Sequence, residues 1–465
     1  MNLNTVNEFR HAIYACFTRA ADALFNTVDA LATETSAQSF VELSLSPCFE
    51  RPWSSLYEAF EDGRIDQHRL QAVFVRSLPT PTEGKRLLLG IDASNIARPQ
   101  AKTAADRTVV HVPNLPRSQT TPLTVGWQFA TLVALPEHPS SWGYILDSRR
   151  ISSEQTAGQV AATQVREVAA LVPPLVFLDD PPEEGATQVR EVAALVPPQQ
   201  RVLVLGDRYY PTVDVLRALQ EIAWDGLLRC KGNRVFYRAA PAPTGKRGAP
   251  RKDGERFAYQ DESSQGPPDA QWEGKEEHGQ RVRVERWDHL HCKYAREVDL
   301  RVYRVTRLDA AATARRPRVS WFIGLGPELV PPAEVPTLYP CRYGIEHGYR
   351  FQKQRLLWDN PRLRTPAQFE RWTQIVAVVQ NLLRLARPMV APLAQPWERS
   401  PRPATPQQVR RGLAKILGTL GTPARPVQPR GKSPGRAKGT RVPRATRFEV
   451  VKKTQQKPKK PRKSA

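Results

Sequence analysis

The stretch from Tyr339 to Lys353, YPCRYGIEHGYRFQK, carries acidic, basic and phenolic side chains at helical spacing. Counted from Tyr339, the residues Arg342, Glu346 and Lys353 stand at offsets of 3, 7 and 14. At about 100° per residue, these four side chains share one narrow stripe of a helix. The spacing therefore predicts a helix whose one face holds a carboxylate, two cations and a phenol.

A second stripe of the same helix is apolar. Ile345, Tyr349 and Leu356 recur at helical spacing, and Pro340 suits the first turn, where its missing N–H is not needed. An Arg four residues before a Glu is by itself a common surface ion pair worth a few tenths of a kcal/mol. The helix indicates chemistry only if further acidic residues meet it.

Two upstream apolar runs end in aspartate. RLLLGIDAS (86–94) leads to Asp92 and predicts a buried strand, and TVGWQFATLVALP (124–136) and GYILDSRRI (143–151) predict two more strands. VLVLGD (202–207) ends in Asp207 and precedes a convincing helix, PTVDVLRALQEIAW (211–224). An Asp that ends a strand is usually a turn former or a helix cap, so each aspartate alone carries little weight.

A duplication complicates the choice of the second aspartate. ATQVREVAALVPP occurs at 162–174 and again, identically, at 186–198. The first copy runs into LVFLDD (175–180), which competes with VLVLGD for the fourth strand. We favour VLVLGD because Asp179 and Asp180 run into PPEEG rather than into a helix. The extra unit is expected to loop out at the surface, where insertions are tolerated, although it could impair an enzyme.

The spacing Tyr, two residues, Arg, three residues, Glu, six residues, Lys resembles the YREK signature of one group of bacterial insertion-sequence DDE transposases. The resemblance spans roughly residues 85–390 and implies a ribonuclease-H-like α/β fold, a mixed sheet flanked by helices. It implies catalytic metal ligands at Asp92, Asp207 and Glu346, and DNA phosphate contacts at Tyr339, Arg342 and Lys353. The implied partners are the terminal inverted repeats and the target DNA, bound by a homodimer.

Carboxylates suit this chemistry because hard cations prefer oxygen ligands. Two Mg²⁺ ions about 4 Å apart, for which Mn²⁺ can substitute, would neutralise charge on the attacking and leaving oxygens. The resemblance implies nicking by water and then attack of the freed 3′-hydroxyl on target DNA. Tyr209 stands where the group usually has Gly. For members that form a hairpin and flip a base, Trp321 and Tyr343 are candidate stacking residues, although buried aromatics are commoner.

The resemblance and the sequence texture together predict five regions. These are a helical N-terminal domain (1–80) for DNA ends or merely for packing, the first part of the core (84–230), a β-rich insertion (231–317), the second part of the core (318–395) and a disordered basic tail (396–465). Helices are expected at 8–32, 53–61 and 65–77, and a long buried one at 369–390. RVSWFIGLG (318–326) predicts a further core strand.

Charge indicates a polyanionic partner. The chain has 69 Lys and Arg against 46 Asp and Glu, a net charge of +23. Residues 421–465 supply +14 of it and are too poor in apolar groups to fold alone. The chain lacks a long apolar run and a signal-peptide layout, so we expect a cytoplasmic, nucleoid-associated protein.

His289, His291 and Cys292 are residue types that bind zinc. The sequence has no second pair of such residues at zinc-finger spacing, so no zinc site is predicted there.

Two alternatives stay open. Another ribonuclease-H-like nuclease, such as a junction resolvase, would share the strands and the aspartates but would not transfer strands. A transposase remnant, disabled by the duplicated segment, would bind DNA without cutting it.

Overall fold

The computed structural model describes residues 2–82, 85–112, 122–172, 201–242, 249–276, 279–309, 317–390, 404–428, 435, 437–441 and 444–453. The second copy of the duplicated segment (186–198) and the competing run LVFLDD lie outside these residues. The first copy is described as far as residue 172, where it forms most of a helix.

The centre of the molecule is a mixed sheet of long, buried strands. Its members are β3 (Leu87–Ala97), β5 (Leu123–Leu135), β6 (Tyr144–Ile151), β7 (Val202–Gly206) and β8 (Asp225–Cys230). They lie in the order β6-β5-β3-β7-β8, with antiparallel pairing as far as β3 and parallel pairing from β3 to β8. The strands predicted at 86–94, 124–136, 143–151 and 202–207 are confirmed. A short edge strand, β4 (Thr108–His111), was not predicted; it pairs with β5.

Helices cover both faces of this sheet. Successive side chains of a strand point to opposite faces. A Cβ on Gly90 would come within 2.4 Å of Ile345, so this face of β3 lies against the helix predicted at 339–353. Ala93, on the opposite face, packs with Ala130 and with Val160 of α5 (Ala157–Leu171). The core is therefore three-layered.

The predicted insertion is β-rich, but it does not form a separate sheet. Its strands are β9 (Val235–Tyr237), β10 (Arg256–Ala258), β11 (Ala270–Lys275), β12 (Arg281–Cys292) and β13 (Ala295–Arg307). β13 pairs with β14 (Val319–Leu325), and β14 pairs with β8. The insertion thereby extends the central sheet, and the twelve strands of this sheet within the described residues are continuous.

The helix predicted over 8–32 was wrong as a single element. It is two helices, α1 (Leu3–Tyr14) and α2 (Ala21–Thr33), separated by strand β1 (Phe17–Arg19), which pairs with β2 (Arg64–Ile65). The break comes at Ala20, whose φ of 52° is left-handed and incompatible with a continuous α-helix. The apolar periodicity continues across the break and hides it. Helices α3 (Trp53–Asp62) and α4 (Gln67–Arg76) confirm the other two predictions.

The N-terminal helices share the core of the sheet region. Phe40 and Phe60 pack edge-on against Trp372 of α9 (Pro366–Ala386), with ring centroids 5.2 and 5.7 Å apart. The Tyr144 hydroxyl of β6 donates to the carbonyl of Phe74 in α4 at 2.9 Å. This packing corresponds to the helical layer that was the simpler expectation, and it gives residues 1–80 no core of their own.

The remaining helices are α6 (Val213–Glu221), the one-turn α7 (Val335–Leu338), α8 (Tyr343–Gln354) and α10 (Pro406–Leu420). α9 confirms the long buried helix predicted at 369–390. The Asn381 amide on α9 pairs with both backbone groups of Ile145 on the outer strand β6, at 2.7 and 2.8 Å. No helix among the described residues is long and apolar enough to span a membrane.

The tail differs from the predicted disorder at 396–465 in two places. α10 buries Val409 and Leu413, and the buried Arg410 guanidinium donates to the carbonyls of Leu31 and Arg355 at 3.0 and 2.6 Å. Residues 444–453 lie beside the loop before β4, where the Val451 N–H donates to Arg107 O at 2.8 Å and Val451 forms an isolated bridge with Thr108. Composition concealed both features because the tertiary partners that hold them lie far away in the chain.

Candidate active site

The two aspartates lie on adjacent parallel strands. Leu88–Ile91 of β3 are in register with Leu203–Gly206 of β7, so Asp92 and Asp207 follow side by side. This confirms that the two runs are neighbours. Asp92 does not end its strand, however, because β3 continues to Ala97, paired with β5 throughout. An apolar run marks only the buried part of a strand, so the sequence placed the strand end too early.

Glu346 comes from the signature helix, which packs against the same face of β3. Residues Tyr339–Arg342 form a 3₁₀ turn that leads into α8, and Glu346 lies in the first turn of α8. Ile345, Tyr349 and Leu356 are buried, as the apolar stripe predicted. Gly90 lies two residues before Asp92 on β3. Because Gly90 has no side chain, Ile345 of α8 can pack directly against the strand at this point.

Arg342 joins two of the carboxylates. One guanidinium nitrogen donates to Asp92 Oδ2 at 3.0 Å, and the other donates to Glu346 Oε1 at 2.8 Å. The Arg342 side chain is only 12% exposed. Burial alone would lower the pKa of Arg342, but its acidic neighbours, led by Tyr339 and Asp92, raise it instead. The guanidinium is therefore the fixed positive charge of this site.

The side chain of Asp92 is 17% exposed, against 44% for Glu346. Burial raises the pKa of Asp92 to about 6; Arg342 opposes this rise and the charge of Asp207 adds to it. Its Oδ1 also accepts the N–H of Ala93 at 2.8 Å. Asp207 Oδ1 accepts the N–H of Tyr209 at 2.8 Å. The effect of Asp207 on the pKa of Asp92 means that the two carboxyl groups lie within electrostatic range of each other.

The three carboxylates suit a divalent cation by their chemistry but not by their present arrangement. Oxygen donors and a local excess of negative charge favour a hard divalent ion. Among the described residues, however, no group of three or more acidic, His or Cys side chains is arranged to hold a metal ion. The expected convergence of Asp92, Asp207 and Glu346 on one ion pair is thus not found in this conformation, because the Arg342 guanidinium lies between Asp92 and Glu346 and balances their charge.

The other two residues of the stripe also contact protein groups. The Tyr339 ring packs against Phe322, with centroids 4.7 Å apart, and burial raises the pKa of its hydroxyl. Lys353 Nζ donates to the carbonyl of Asn95 on β3 at 2.8 Å, and burial lowers the pKa of Lys353. Lys353 is thereby anchored to the strand that carries Asp92, and Tyr339 is anchored to β14.

The two candidate base-stacking residues differ in accessibility. Trp321 is 7% exposed and stacks on Tyr259, with centroids 4.1 Å apart, inside the aromatic cluster of the insertion. This burial leaves Trp321 no open face for a base. Tyr343 is 49% exposed and contacts only His347 among aromatic rings of the described residues. The histidines that resembled zinc ligands are also engaged: His291 Nε2 lies 3.1 Å from Asp253, and His289 Nδ1 lies 3.4 Å from Asp299.

Two buried tyrosines of the site were missed by sequence reasoning. Burial raises the pKa of both Tyr210 and Tyr349 well above the usual value, and the charge of Asp92 adds to it in each case. The Tyr210 hydroxyl lies buried without a hydrogen-bond partner in the described part of the chain, whereas the Tyr349 hydroxyl interacts with the Thr131 side chain of β5. Tyr349 was predicted only as a core residue, and no sequence signal placed its hydroxyl near Asp92.

The sequence model of the family described as "DDE superfamily endonuclease" matches residues 12–291. The chain belongs to this family. The match to the DDE superfamily endonucleases includes Asp92 and Asp207, and it ends before Glu346. No curated protein matches the chain. Among solved structures, the chain is similar to the cryo-EM structure of a piggyBac transposase synaptic complex with hairpin DNA, at 11% sequence identity and a TM-score of 0.41, over 90% of this chain and 79% of that one.

Proposed function

We propose that this DDE superfamily endonuclease is the DNA transposase of a bacterial insertion sequence of the YREK group. The observation that carries the proposal is the pair of contacts from Arg342 to Asp92 and Glu346, beside Asp207. It brings together an upstream strand and a helix that are 250 residues apart in the chain. The strand order β6-β5-β3-β7-β8, antiparallel and then parallel, supports the ribonuclease-H-like arrangement that such an enzyme needs.

In this proposal Asp92, Asp207 and Glu346 would hold two Mg²⁺ ions, or Mn²⁺ in their place. When bound, the ions would neutralise charge on the attacking and leaving oxygens of a phosphodiester. Arg342 would leave the carboxylates and pair with a phosphate, for which a guanidinium is well shaped. Tyr339 and Lys353 would contact neighbouring phosphates at the ends of the element. The reaction would nick the DNA at those ends and transfer the freed 3′-hydroxyl to target DNA.

The partner would be DNA, bound by a homodimer, in the bacterial cytoplasm close to the nucleoid. The net charge of +23 supports a polyanionic partner. The N-terminal helices would contact the ends of the element in addition to packing on α9. The hairpin route is not favoured over the other route by any of the residues described.

The test begins with the DNA that flanks the reading frame, because inverted repeats there would supply the substrate. We expect Mg²⁺-dependent nicking at those repeats, lost in Asp92→Asn and retained in Asp309→Asn, a substitution in the insertion at a side chain that is 51% exposed. Measuring DNA binding by the same preparations shows that each variant is folded. Binding without nicking by the unaltered chain would instead support an inactive remnant.

Strand transfer separates the proposal from a resolvase. A pre-cleaved end with a free 3′-hydroxyl should join to a target plasmid in the presence of Mg²⁺ or Mn²⁺. Cleavage of branched DNA without such joining would support the nuclease alternative and contradict transposition.

A further inference from the structure

Tyr209 is an exposed aromatic residue beside the site. Tyr209 is 56% exposed, and its backbone N–H donates to Asp207 Oδ1 at 2.8 Å. Two residues of chain span at most about 7 Å, and bases along one DNA strand are about 3.4 Å apart. The Cα atoms of Asp207 and Tyr209 are therefore at most about two nucleotide spacings apart, so Tyr209 lies near any phosphate that Asp207 serves.

Two cations flank the ring. Lys231 Nζ, from the turn after β8, lies 4.7 Å from the ring centroid, and the Arg208 guanidinium lies 5.3 Å from it. Both cations belong to exposed residues. Neither forms an ion pair with a carboxylate in the part of the chain that the structure describes, whereas Arg149 and Arg150 of β6 do. The two cations are thus available to a ligand that brings its own negative charge.

We propose that Arg208, Tyr209 and Lys231, the Tyr209 platform, bind an unpaired nucleotide next to the phosphate that is cut. The ring would stack on the base, and the two cations would pair with the flanking phosphates. An exposed aromatic ring beside exposed cations is the combination that binds single-stranded nucleic acid with little sequence preference. Bases within a duplex have both faces covered, so the platform selects strands that are frayed or opened at the cleavage point. The inference rests on the proposed function in that it assigns Asp207 to DNA cleavage.

The Tyr209 ring is not part of the hydrophobic core. Its neighbour Tyr210 is 2% exposed and fills the core beside Gly206. Tyr209 itself contacts cations only, among the ring contacts of the described residues. Substitution of Tyr209 is therefore expected to leave the fold intact, which makes its effects on DNA binding interpretable.

The experiment uses the full chain and a duplex with a short thymidine overhang, against a blunt duplex of the same sequence. Tyr209→Leu keeps an apolar side chain but removes the ring, and we expect the Kd for the overhang duplex to rise about 5- to 100-fold. Tyr209→Phe should bind like the unaltered chain. Both variants should bind the blunt duplex normally. Tyr294→Leu is the matched control, because Tyr294 is 63% exposed on the β12–β13 turn and has no role in the site.

Position is tested with iodouracil in the overhang. Irradiation should cross-link the base to Tyr209, as identified by mass spectrometry, and Lys231→Gln should reduce the yield several-fold. A Kd for Tyr209→Leu within about twofold of the unaltered chain, or a cross-link that maps elsewhere, would overturn the platform. If nicking is lost in Asp92→Asn but Tyr209→Leu binds the overhang duplex normally, the platform is wrong and the proposed function is still supported. A cross-link at Tyr209 in a chain that never nicks DNA would support the platform and contradict the proposed function.

Discussion

At the scale of single residues, Arg342 is the counter-charge of two carboxylates of the site. It balances Asp92 and Glu346 through two hydrogen bonds from a side chain that is 12% exposed. Arg342→Ala should lower the free energy of unfolding by about 1–3 kcal/mol without metal, because two carboxylates are then left without their counter-charge. Denaturation by urea in the presence of a chelator measures this decrease.

The same variant tests competition between the guanidinium and a divalent ion. Because a ligand that binds the folded state raises the melting temperature, added Mn²⁺ should raise it more in Arg342→Ala than in the unaltered chain. Arg350→Ala is the control, since Arg350 is an exposed cation on the same helix. An equal Mn²⁺ response in all three proteins would mean that Arg342 does not compete for the metal ligands.

Asp225 gives a prediction about pH. Burial raises its pKa to about 6, although its Oδ1 accepts the N–H of Glu328 at 3.0 Å, which partly opposes the rise. The folded state holds this proton up to a higher pH than the unfolded chain does, so the contribution to stability falls as pH rises from about 4 through about 6. Asp225→Asn removes the charge and should be more stable than the unaltered chain at pH 8, by about 1–2 kcal/mol, and similar to it near pH 4.

Urea denaturation across this pH range provides the measurement, with Asp62→Asn as the exposed control. A stability difference between Asp225→Asn and the unaltered chain that stays constant from about pH 4 to pH 8 would contradict the assignment.

At the scale of elements, the tail segment 444–453 docks beside β4 through Phe448 and Val451. The buried Arg107 is 3% exposed, and its guanidinium donates to Ala104, Arg98 and Phe448 carbonyls at 3.1, 3.3 and 2.9 Å. A chain ending at residue 443 lacks the last of these acceptors and should be less stable by about 1–3 kcal/mol. A chain ending at 453 keeps it and should match the full protein.

Hydrogen exchange localises this effect. Protection at the Thr108–His111 edge and in the preceding loop should fall in the shorter chain alone. Equal stability and equal exchange in the two truncated chains would show that the segment does not support the edge of the sheet.

The elements with strong local patterns were predictable, and those held by distant partners were not. β3, β7, α8 and α9 have buried apolar faces at the period of their structure, so the sequence identified them. β4 has only four residues, and the docked tail segment is mostly polar, so neither has a periodic signal. The end of β3 was misplaced because polar residues after Asp92 still pair with β5.

At the scale of the whole molecule, the charge is concentrated in the tail. Residues 421–465 carry +14 of the net +23. Removing them should weaken DNA binding broadly and lower the slope of log Kd against log salt, by up to about 0.9 for each DNA phosphate that the tail no longer neutralises. The chain ending at 453 separates the effect of charge from the effect on folding, because it lacks five cations but keeps the docked segment 444–453.

Titration of binding with salt, on DNA of arbitrary sequence, checks this prediction. The slope should fall in the chain ending at 453 and fall further when residues 421–465 are absent. An unchanged slope in both would show that the tail does not touch DNA.

The sequence by itself determined the long strands of the central sheet, most of the helices and the apolar stripe of α8, because these follow from local periodicity, whereas the resemblance to a family implied that Asp92 and Asp207 meet. Only the tertiary structure decided that the insertion continues the central sheet, that the N-terminal helices share its core, and that Arg342 stands between Asp92 and Glu346. Those features depend on contacts between residues that are hundreds of positions apart in the chain. Burial and charge balance select these contacts, and no local sequence pattern records them.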